Sequence, residues 1–232
     1  SNMHCVASRC GRAVLGAATK RRSVHDMDNR PSVLLVSSDR FSRSNLARAL
    51  VNAQFDINVF DTLVAWKSPD FKELEGRLAE SWTISPSGTD FTFKLRAGVK
   101  FHDGSSFNAD AVVWNVQKVL DKSAAHFDPS QIGVTTSRMP TLRSARKIDD
   151  LTVELTTSEP DSFLPLNLTN LFMASPAHWN AKLKAVPASV TDPAERAKQA
   201  WAAFAAVASG SGPFKMARFV TRERLELVAN KA

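Results

Sequence analysis

The sequence predicts an α/β fold in which amphipathic strands pack against helices. Residues 91–95 alternate apolar and polar side chains, the period of two that a half-buried antiparallel strand requires. Valine and leucine recur at helical spacing over residues 112–120. Turn-forming pairs such as Asp103-Gly104 separate these patterns. Strand and helix signals that follow one another so closely favour an α/β architecture.

The chain begins with a segment that shows no pattern of folded structure. Residues 1–30 are rich in arginine, serine and histidine, and the first two resemble the remnant of a cleaved tag. The apolar patch at 13–18 is too short for a secretory signal, and basic residues follow it rather than precede it, so we identify no signal peptide. Cys5 and Cys10 both lie here, which excludes a disulfide within the predicted fold. We therefore predict a disordered tail.

Strands and a helix are predicted up to residue 95. A short apolar run at 32–37 indicates a buried strand, and residues 42–65 are predicted to be mostly helical. Residues 82–85 and 91–95 are predicted to form two strands. They are joined by a turn at 86–88, where proline restricts φ and glycine permits a positive φ.

The helix over residues 109–120 carries its own start signals. Asn108 is placed to cap it, and Asp110 falls in the first turn, where negative charge suits the helix dipole. Trp114 is predicted to lie on the apolar face of this helix. We expect its indole to be buried together with Phe91 and Phe93 of the preceding strand.

The second half of the chain is predicted to contain further strands and helices. Residues 122–145 are polar and are predicted to be irregular. Leu151, Val153 and Leu155 alternate with polar residues and predict an amphipathic strand. The later elements are an apolar helical segment at 163–172, a helix capped by Asp192 that ends near 208, and a closing hairpin of residues 214–219 and 225–228.

Composition and motifs exclude several classes of function. The formal charge of +7 is spread along the chain, so we predict no nucleic-acid partner. No apolar run approaches the ~20 residues that span a bilayer. His102-Asp103 is interpreted as turn chemistry, and His126 with Asp128 has no third residue at metal-ligand spacing. The glycine pair at 210–212 lacks the lysine of a phosphate loop, so no cofactor is predicted.

Several stretches of the sequence resemble, in order, one family: the solute-binding proteins of peptide and nickel ABC importers, solute-binding family 5. The stretches that carry the resemblance are VFDTLV (59–64), LAESW (78–82), FTFKLRAGVKFHDG (91–104), FNADAVV (107–113), DDLTVELTTSEPDSFL (149–164), ASP (174–176) and GSGPFKM (210–216). A Leu-Asp-Pro common in the family after the first strand is missing here.

The resemblance implies a fold and its subdivision. It implies lobe one of a class-C (type II) periplasmic solute-binding protein, with a mixed sheet, and the second lobe is expected to be absent from this chain. Residues 31–63 and 161–232 would form the larger subdomain, and residues 64–160 a smaller, strand-rich one. By the same resemblance the protein would be periplasmic, or extracellular and associated with the membrane.

The resemblance also implies a function. The chain would capture a small solute, a peptide being the expected one, for the membrane subunits of an ABC importer, and it would not be an enzyme. An exposed inner face would allow self-association. Ligand contacts would come from loops that face the second lobe. Their residues are Ser38, Asp39, Arg40, His126, Phe127, Asp128, Asn170 and Phe172.

Two other hypotheses remain open at the level of sequence. The chain could be a truncated relic that folds but binds no ligand by itself, which an intact reading frame downstream would contradict. It could also be a hydrolase or a metal enzyme, which isolated histidine and aspartate residues alone favour. Turnover of a substrate would distinguish this class from a binding protein.

Overall fold

The computed structural model describes residues 33–37, 59–67, 70–131, 133, 137–220 and 224–231. The predicted tail at 1–30, most of the predicted helix at 42–65 and the loop of Ser38, Asp39 and Arg40 lie outside these residues. The strands are β1 Val33–Ser37, β2 Val64–Trp66, β3 Leu74–Gly76, β4 Ala79–Ile84, β5 Asp90–Leu95, β6 Leu142–Asp149, β7 Thr152–Thr157, β8 Phe214–Val220 and β9 Arg224–Ala229. The helices are α1 Ala109–Leu120, α2 Leu164–Asn167, α3 Pro176–Ala185 and α4 Pro193–Ala206, with 3₁₀ turns at Pro129–Gln131 and Leu168–Asn170.

One antiparallel sheet has the strand order β4-β5-β7-β6. The side chains of Phe91, Phe93 and Leu95 are buried along one face of β5, as their alternation predicts. Gly88 adopts φ +73° in the turn that joins β4 to β5, a conformation that favours glycine. The predicted pair of strands and its turn are therefore confirmed.

Strand β6 and the start of β7 differ from the sequence analysis. Residues 142–149 form an edge strand, and irregular structure is predicted for the first four of them. Half of the residues in this strand are charged and Ile148 is exposed, so the apolar alternation is too weak to indicate it. Leu151 is 37% exposed and lies in the turn before β7, because the buried alternation begins at Val153.

Helix α1 packs against β6 and β7 and buries its valine side chains. Its start is as predicted, since the Asn108 side-chain oxygen accepts the Ala111 N–H at 3.1 Å. The stripe of Val112, Val116 and Val119 joins the aromatic residues of β5 in a first core. Burial of these apolar side chains is the main stabilising contribution of this half of the fold.

A second core forms around α3, α4 and a three-stranded sheet of order β1-β9-β8. Asp192 caps α4 as predicted, with its carboxylate accepting the Glu195 N–H at 2.9 Å. Helix α3 is an element that the sequence analysis missed. Its signal is Ser175 followed by Pro176, a capping serine and a proline at the first helical position.

Among the described residues, no helix has the length and apolar character needed to cross a bilayer.

Trp114 packs against the second core and not with Phe91 and Phe93, so that prediction is wrong. Two residues along a helix correspond to about 200°, which turns Trp114 away from the face that carries Val112. Its ring lies 5.9 Å from Trp179 and 6.1 Å from Trp201, and these two lie 5.6 Å apart. We call these three residues the tryptophan cluster.

The residues of the two cores can be compared with the predicted division into subdomains. Apolar residues of the segment after β7 pack with the first core, although the sequence analysis assigns that segment to the larger subdomain. These residues are Leu164, Leu168, Leu171 and Met173. The boundary between the subdomains stays a prediction.

Candidate functional site

The structure describes two of the three predicted ligand-binding segments, 126–128 and 170–172. Both contact Lys118 in the last turn of α1. The Asp128 N–H donates to the Lys118 carbonyl oxygen at 2.9 Å, and the Lys118 ammonium donates to the Phe172 carbonyl oxygen at 3.2 Å. The two segments are therefore brought to the same end of one helix.

His126 is held against the tryptophan cluster. Its ring stacks on Trp114 with 4.4 Å between centroids and 10° between planes, and Nε2 lies 3.1 Å from the Trp114 carbonyl oxygen. Burial lowers the pKa of His126, so the ring is neutral at pH 7. The side chain of His126 thus serves to anchor the segment to α1.

Phe127 is held by a contact from α4, and Asp128 is held by local contacts. The Trp201 indole N–H donates to the Phe127 carbonyl oxygen at 3.3 Å. The Asp128 carboxylate accepts the Ser130 N–H at 3.0 Å and the Ser130 hydroxyl at 2.6 Å. These bonds order the segment as a sequence of short turns.

The segment 170–172 is held on both sides. Asn170 donates from Nδ2 to the Asn167 carbonyl oxygen at 3.2 Å, which closes the 3₁₀ turn. Phe172 is half-buried against the second core. Two residues further on, Ala174 makes two hydrogen bonds with the side chain of Asn115.

Asn115 and Lys118 are the residues of this site that the sequence analysis missed. Both are buried. Lys118 lies four residues after Trp114 and therefore on the same side of α1, and Asn115 lies at the edge of the valine stripe. Polar groups need partners when they are buried, but neither residue interrupts the valine repeat at 112, 116 and 119, so the apolar pattern does not identify them.

The turn of His102 and Asp103 joins the two cores. His102 Nε2 lies 2.9 Å from the Gly212 carbonyl oxygen, and the His102 N–H donates to the Gly210 carbonyl oxygen at 2.8 Å. The Asp103 carboxylate accepts the Ser175 hydroxyl at 2.6 Å. Burial lowers the pKa of His102. These contacts give the pair a structural role, as its interpretation as turn chemistry predicts.

Two shallow depressions near the start of α1 are lined by residues outside the predicted ligand segments. One of about 270 Å³ is lined by Lys100, Asn108 and Leu151 among others, and one of about 250 Å³ by Trp114 and Pro176 among others. Both are smaller than the roughly 300–1,000 Å³ of typical ligand pockets. Among the described residues, no group of three or more potential metal ligands occurs.

The chain matches a family of transport proteins. The family model described as "Bacterial extracellular solute-binding proteins, family 5 Middle" matches residues 73–232. Heme-binding protein A of Haemophilus influenzae is 30% identical over 75% of this chain and 31% of that protein. Di/tripeptide-binding protein 4 of Pseudomonas aeruginosa is 34% identical over 45% of this chain and 21% of that protein.

A solved structure confirms the fold. The periplasmic binding protein DppA of Helicobacter pylori, in complex with the peptide STSA, superposes with a TM-score of 0.61 at 24% identity. The match covers 84% of this chain and 36% of that one. The described residues therefore have the mixed α/β fold of a lobe of a type II periplasmic binding protein, as predicted. The chain spans less than two fifths of the length of these relatives, and it belongs to the bacterial extracellular solute-binding proteins of family 5.

Proposed function

We propose that the chain forms part of the solute-binding component of an ABC importer, and that the solute is a peptide. The observation that carries this proposal is the family match over residues 73–232. Peptides are favoured as the solute because one relative is named for di- and tripeptides and one structural neighbour holds a tetrapeptide. Another relative is named for heme, so the range of solutes in the family is wider than the peptides that we propose.

The mechanism we propose is non-covalent capture. Segments 126–128 and 170–172, together with 38–40, would form one wall of a cleft whose other wall is a second lobe. Closure of the lobes would bury the solute, and the closed form would be recognised by the membrane subunits of the importer. Such a cycle makes and breaks no covalent bond, so the proposal includes no enzymatic activity.

The geometry of the two segments supports this mechanism. The hydrogen bonds of Asp128 and the stacking of His126 hold the first segment in place without a ligand. Contacts that are ordered before binding cost less conformational entropy when a solute arrives. The proposed location is the periplasm or the outer surface of the membrane, and a bare inner face would allow self-association.

The chain alone should bind its solute weakly. It would supply one wall of the cleft, whereas tight binding requires that most of the ligand surface be buried. Each ~1.4 kcal/mol of lost contact weakens binding tenfold, so we expect a Kd of roughly 1 mM or weaker.

Calorimetry and thermal shift with di- to pentapeptides, heme and a nickel–histidine complex test this function. Weak binding that is confined to peptides supports it. The Phe172→Ala variant should weaken binding further, and Phe219→Ala, on β8, serves as the matched control. Micromolar binding by the monomeric chain would contradict the one-wall geometry, and preferential binding of heme would contradict a peptide solute. Turnover of any substrate would support the enzyme hypothesis instead.

A further inference from the structure

We propose that Lys118 is a positioning residue that fixes the spacing between the ligand-binding segments 126–128 and 170–172. This inference rests on the proposed function for the role of the two segments. It concerns a buried side chain that lies outside both segments.

Lys118 hydrogen-bonds to each segment with a different group. Its backbone carbonyl oxygen accepts the Asp128 N–H at 2.9 Å, and its ammonium donates to the Phe172 carbonyl oxygen at 3.2 Å. The residue is 5% exposed. The separation between the two segments is thus set by the length of one lysine side chain on a rigid helix.

Asn115 contributes on the same face, one helical turn earlier. Its side chain holds the backbone of Ala174, two residues beyond Phe172. Residues three apart on a helix lie on one face. Asn115 and Lys118 therefore both face the backbone of residues 172–174, which they contact at Ala174 and Phe172. The two side chains hold this backbone against α1. Through its carbonyl oxygen, Lys118 also holds segment 126–128.

The chemistry of a buried ammonium supports a positional role. Burying a charged group and ordering a long side chain both cost free energy. Methionine would occupy a similar volume without the cost of desolvating a charge. We therefore explain the ammonium group of Lys118 by the directional hydrogen bond that it donates. Its positive charge also acts on segment 126–128. Burial chiefly lowers the pKa of His126, and the positive charge of Lys118 lowers it further.

Hydrogen exchange of the full chain, without any ligand, tests this inference. Lys118→Met should raise amide exchange about tenfold or more in residues 168–174, because local opening follows the loss of the ammonium bond to Phe172. Residues 124–131 keep the Lys118 carbonyl oxygen as their acceptor and should exchange as in the wild type. Exchange within α4 should stay unchanged. Lys118→Arg, which keeps a long cationic donor, should restore most of the protection. The matched control is Lys122→Met, which removes an exposed lysine just beyond α1.

Two results would overturn the inference. Unchanged exchange in residues 168–174 would show that the Lys118 ammonium does not hold them, and a uniform increase across the chain would show a general role in stability. If Lys118→Met does not fold, Lys118→Gln replaces it, since glutamine keeps an N–H donor but has a shorter reach. Wild-type exchange in that variant would also overturn the inference. The exchange experiment uses no solute. A failure of the proposed function in binding experiments is therefore distinguishable from a failure of the inference about Lys118.

Discussion

The side chain of Asn115 pairs with the backbone of Ala174 as a neighbouring strand would. Oδ1 accepts the Ala174 N–H at 2.9 Å, and Nδ2 donates to the Ala174 carbonyl oxygen at 2.9 Å. A further bond from Nδ2 to the Ala111 carbonyl oxygen, also 2.9 Å, fixes the side chain on α1. The amide thus satisfies the buried N–H and carbonyl groups of one residue that lies outside the described sheets.

Asn115→Ala should strongly destabilise the protein. The substitution leaves the N–H and carbonyl groups of Ala174 buried without these partners, and each such group costs about 1–3 kcal/mol. We therefore expect the free energy of unfolding to fall by roughly 3 kcal/mol, as measured by urea denaturation. Gln117→Ala on the exposed face of α1 is the control and should change stability little. A loss below about 1 kcal/mol would mean that Ala174 finds other partners.

Phe93→Ala should remove a large part of the first core. The ring is fully buried and stacks near Trp82 with 6.3 Å between centroids. Truncation of a buried phenylalanine costs about 3–5 kcal/mol, because it removes apolar contacts and leaves a cavity. The matched control is Thr92→Ala, on the opposite face of the same strand. If both variants lose similar stability in denaturant titrations, the assignment of the two faces is wrong.

Gly210→Ala should be poorly tolerated because of close packing. A Cβ at this position would lie 2.2 Å from the Val59 carbonyl oxygen and 2.6 Å from Cδ1 of Phe60. Overpacking of this kind typically costs about 1–3 kcal/mol, and here a backbone atom must move. Thermal unfolding should show a lower Tm for this variant. Gly133→Ala, where a Cβ would meet no atom of the described residues within 4 Å, should keep the wild-type Tm.

The stability of the protein should fall as the pH drops below about 6.5, the ordinary pKa of histidine. Burial lowers the pKa of His102, so the unfolded chain binds a proton more readily than the folded one. Its carbonyl partner Gly212 requires a hydrogen on Nε2, and the described residues offer no partner to the buried Nδ1. Protonation would therefore place a charge on His102 and an N–H on Nδ1, which has no acceptor among the described residues.

Denaturant titrations at pH 7 and at about pH 5.5 measure this effect. His102→Gln keeps an N–H donor without a titratable ring and should reduce the difference between the two pH values. His126 and His178 also have pKa values lowered by burial, so part of the decline should remain in this variant. An unchanged difference would show that His102 does not contribute to the pH dependence.

Local patterns in the sequence predicted the elements whose signals are local. The alternation of residues 91–95, the cap at Asn108 and the cap at Asp192 each depend on a few neighbouring side chains, and each is confirmed. Strand β6 was missed because it lies at an edge and half of its residues are charged, so its pairing with β7 is not visible in its own residues.

The candidate site was predicted at the level of segments only. The segments 126–128 and 170–172 lie 42 or more residues apart in sequence, and their proximity depends on tertiary hydrogen bonds of Lys118. These bonds involve backbone carbonyl groups, which every residue possesses, so no residue type indicates them in advance. Trp114 was misplaced for a related reason, since helical periodicity defines faces but not the neighbour of each face.

The tryptophan cluster gives the protein a distinctive optical property. The chain has five tryptophans and no tyrosine, so indole rings dominate its near-ultraviolet absorption and emission. Trp114, Trp179 and Trp201 have centroids separated by 5.6–6.1 Å, close enough for their excited states to couple. Near-ultraviolet circular dichroism should therefore report mainly on the region where α1, α3 and α4 meet. Loss of order there can be followed by this signal, separately from loss of the β4-β5-β7-β6 sheet.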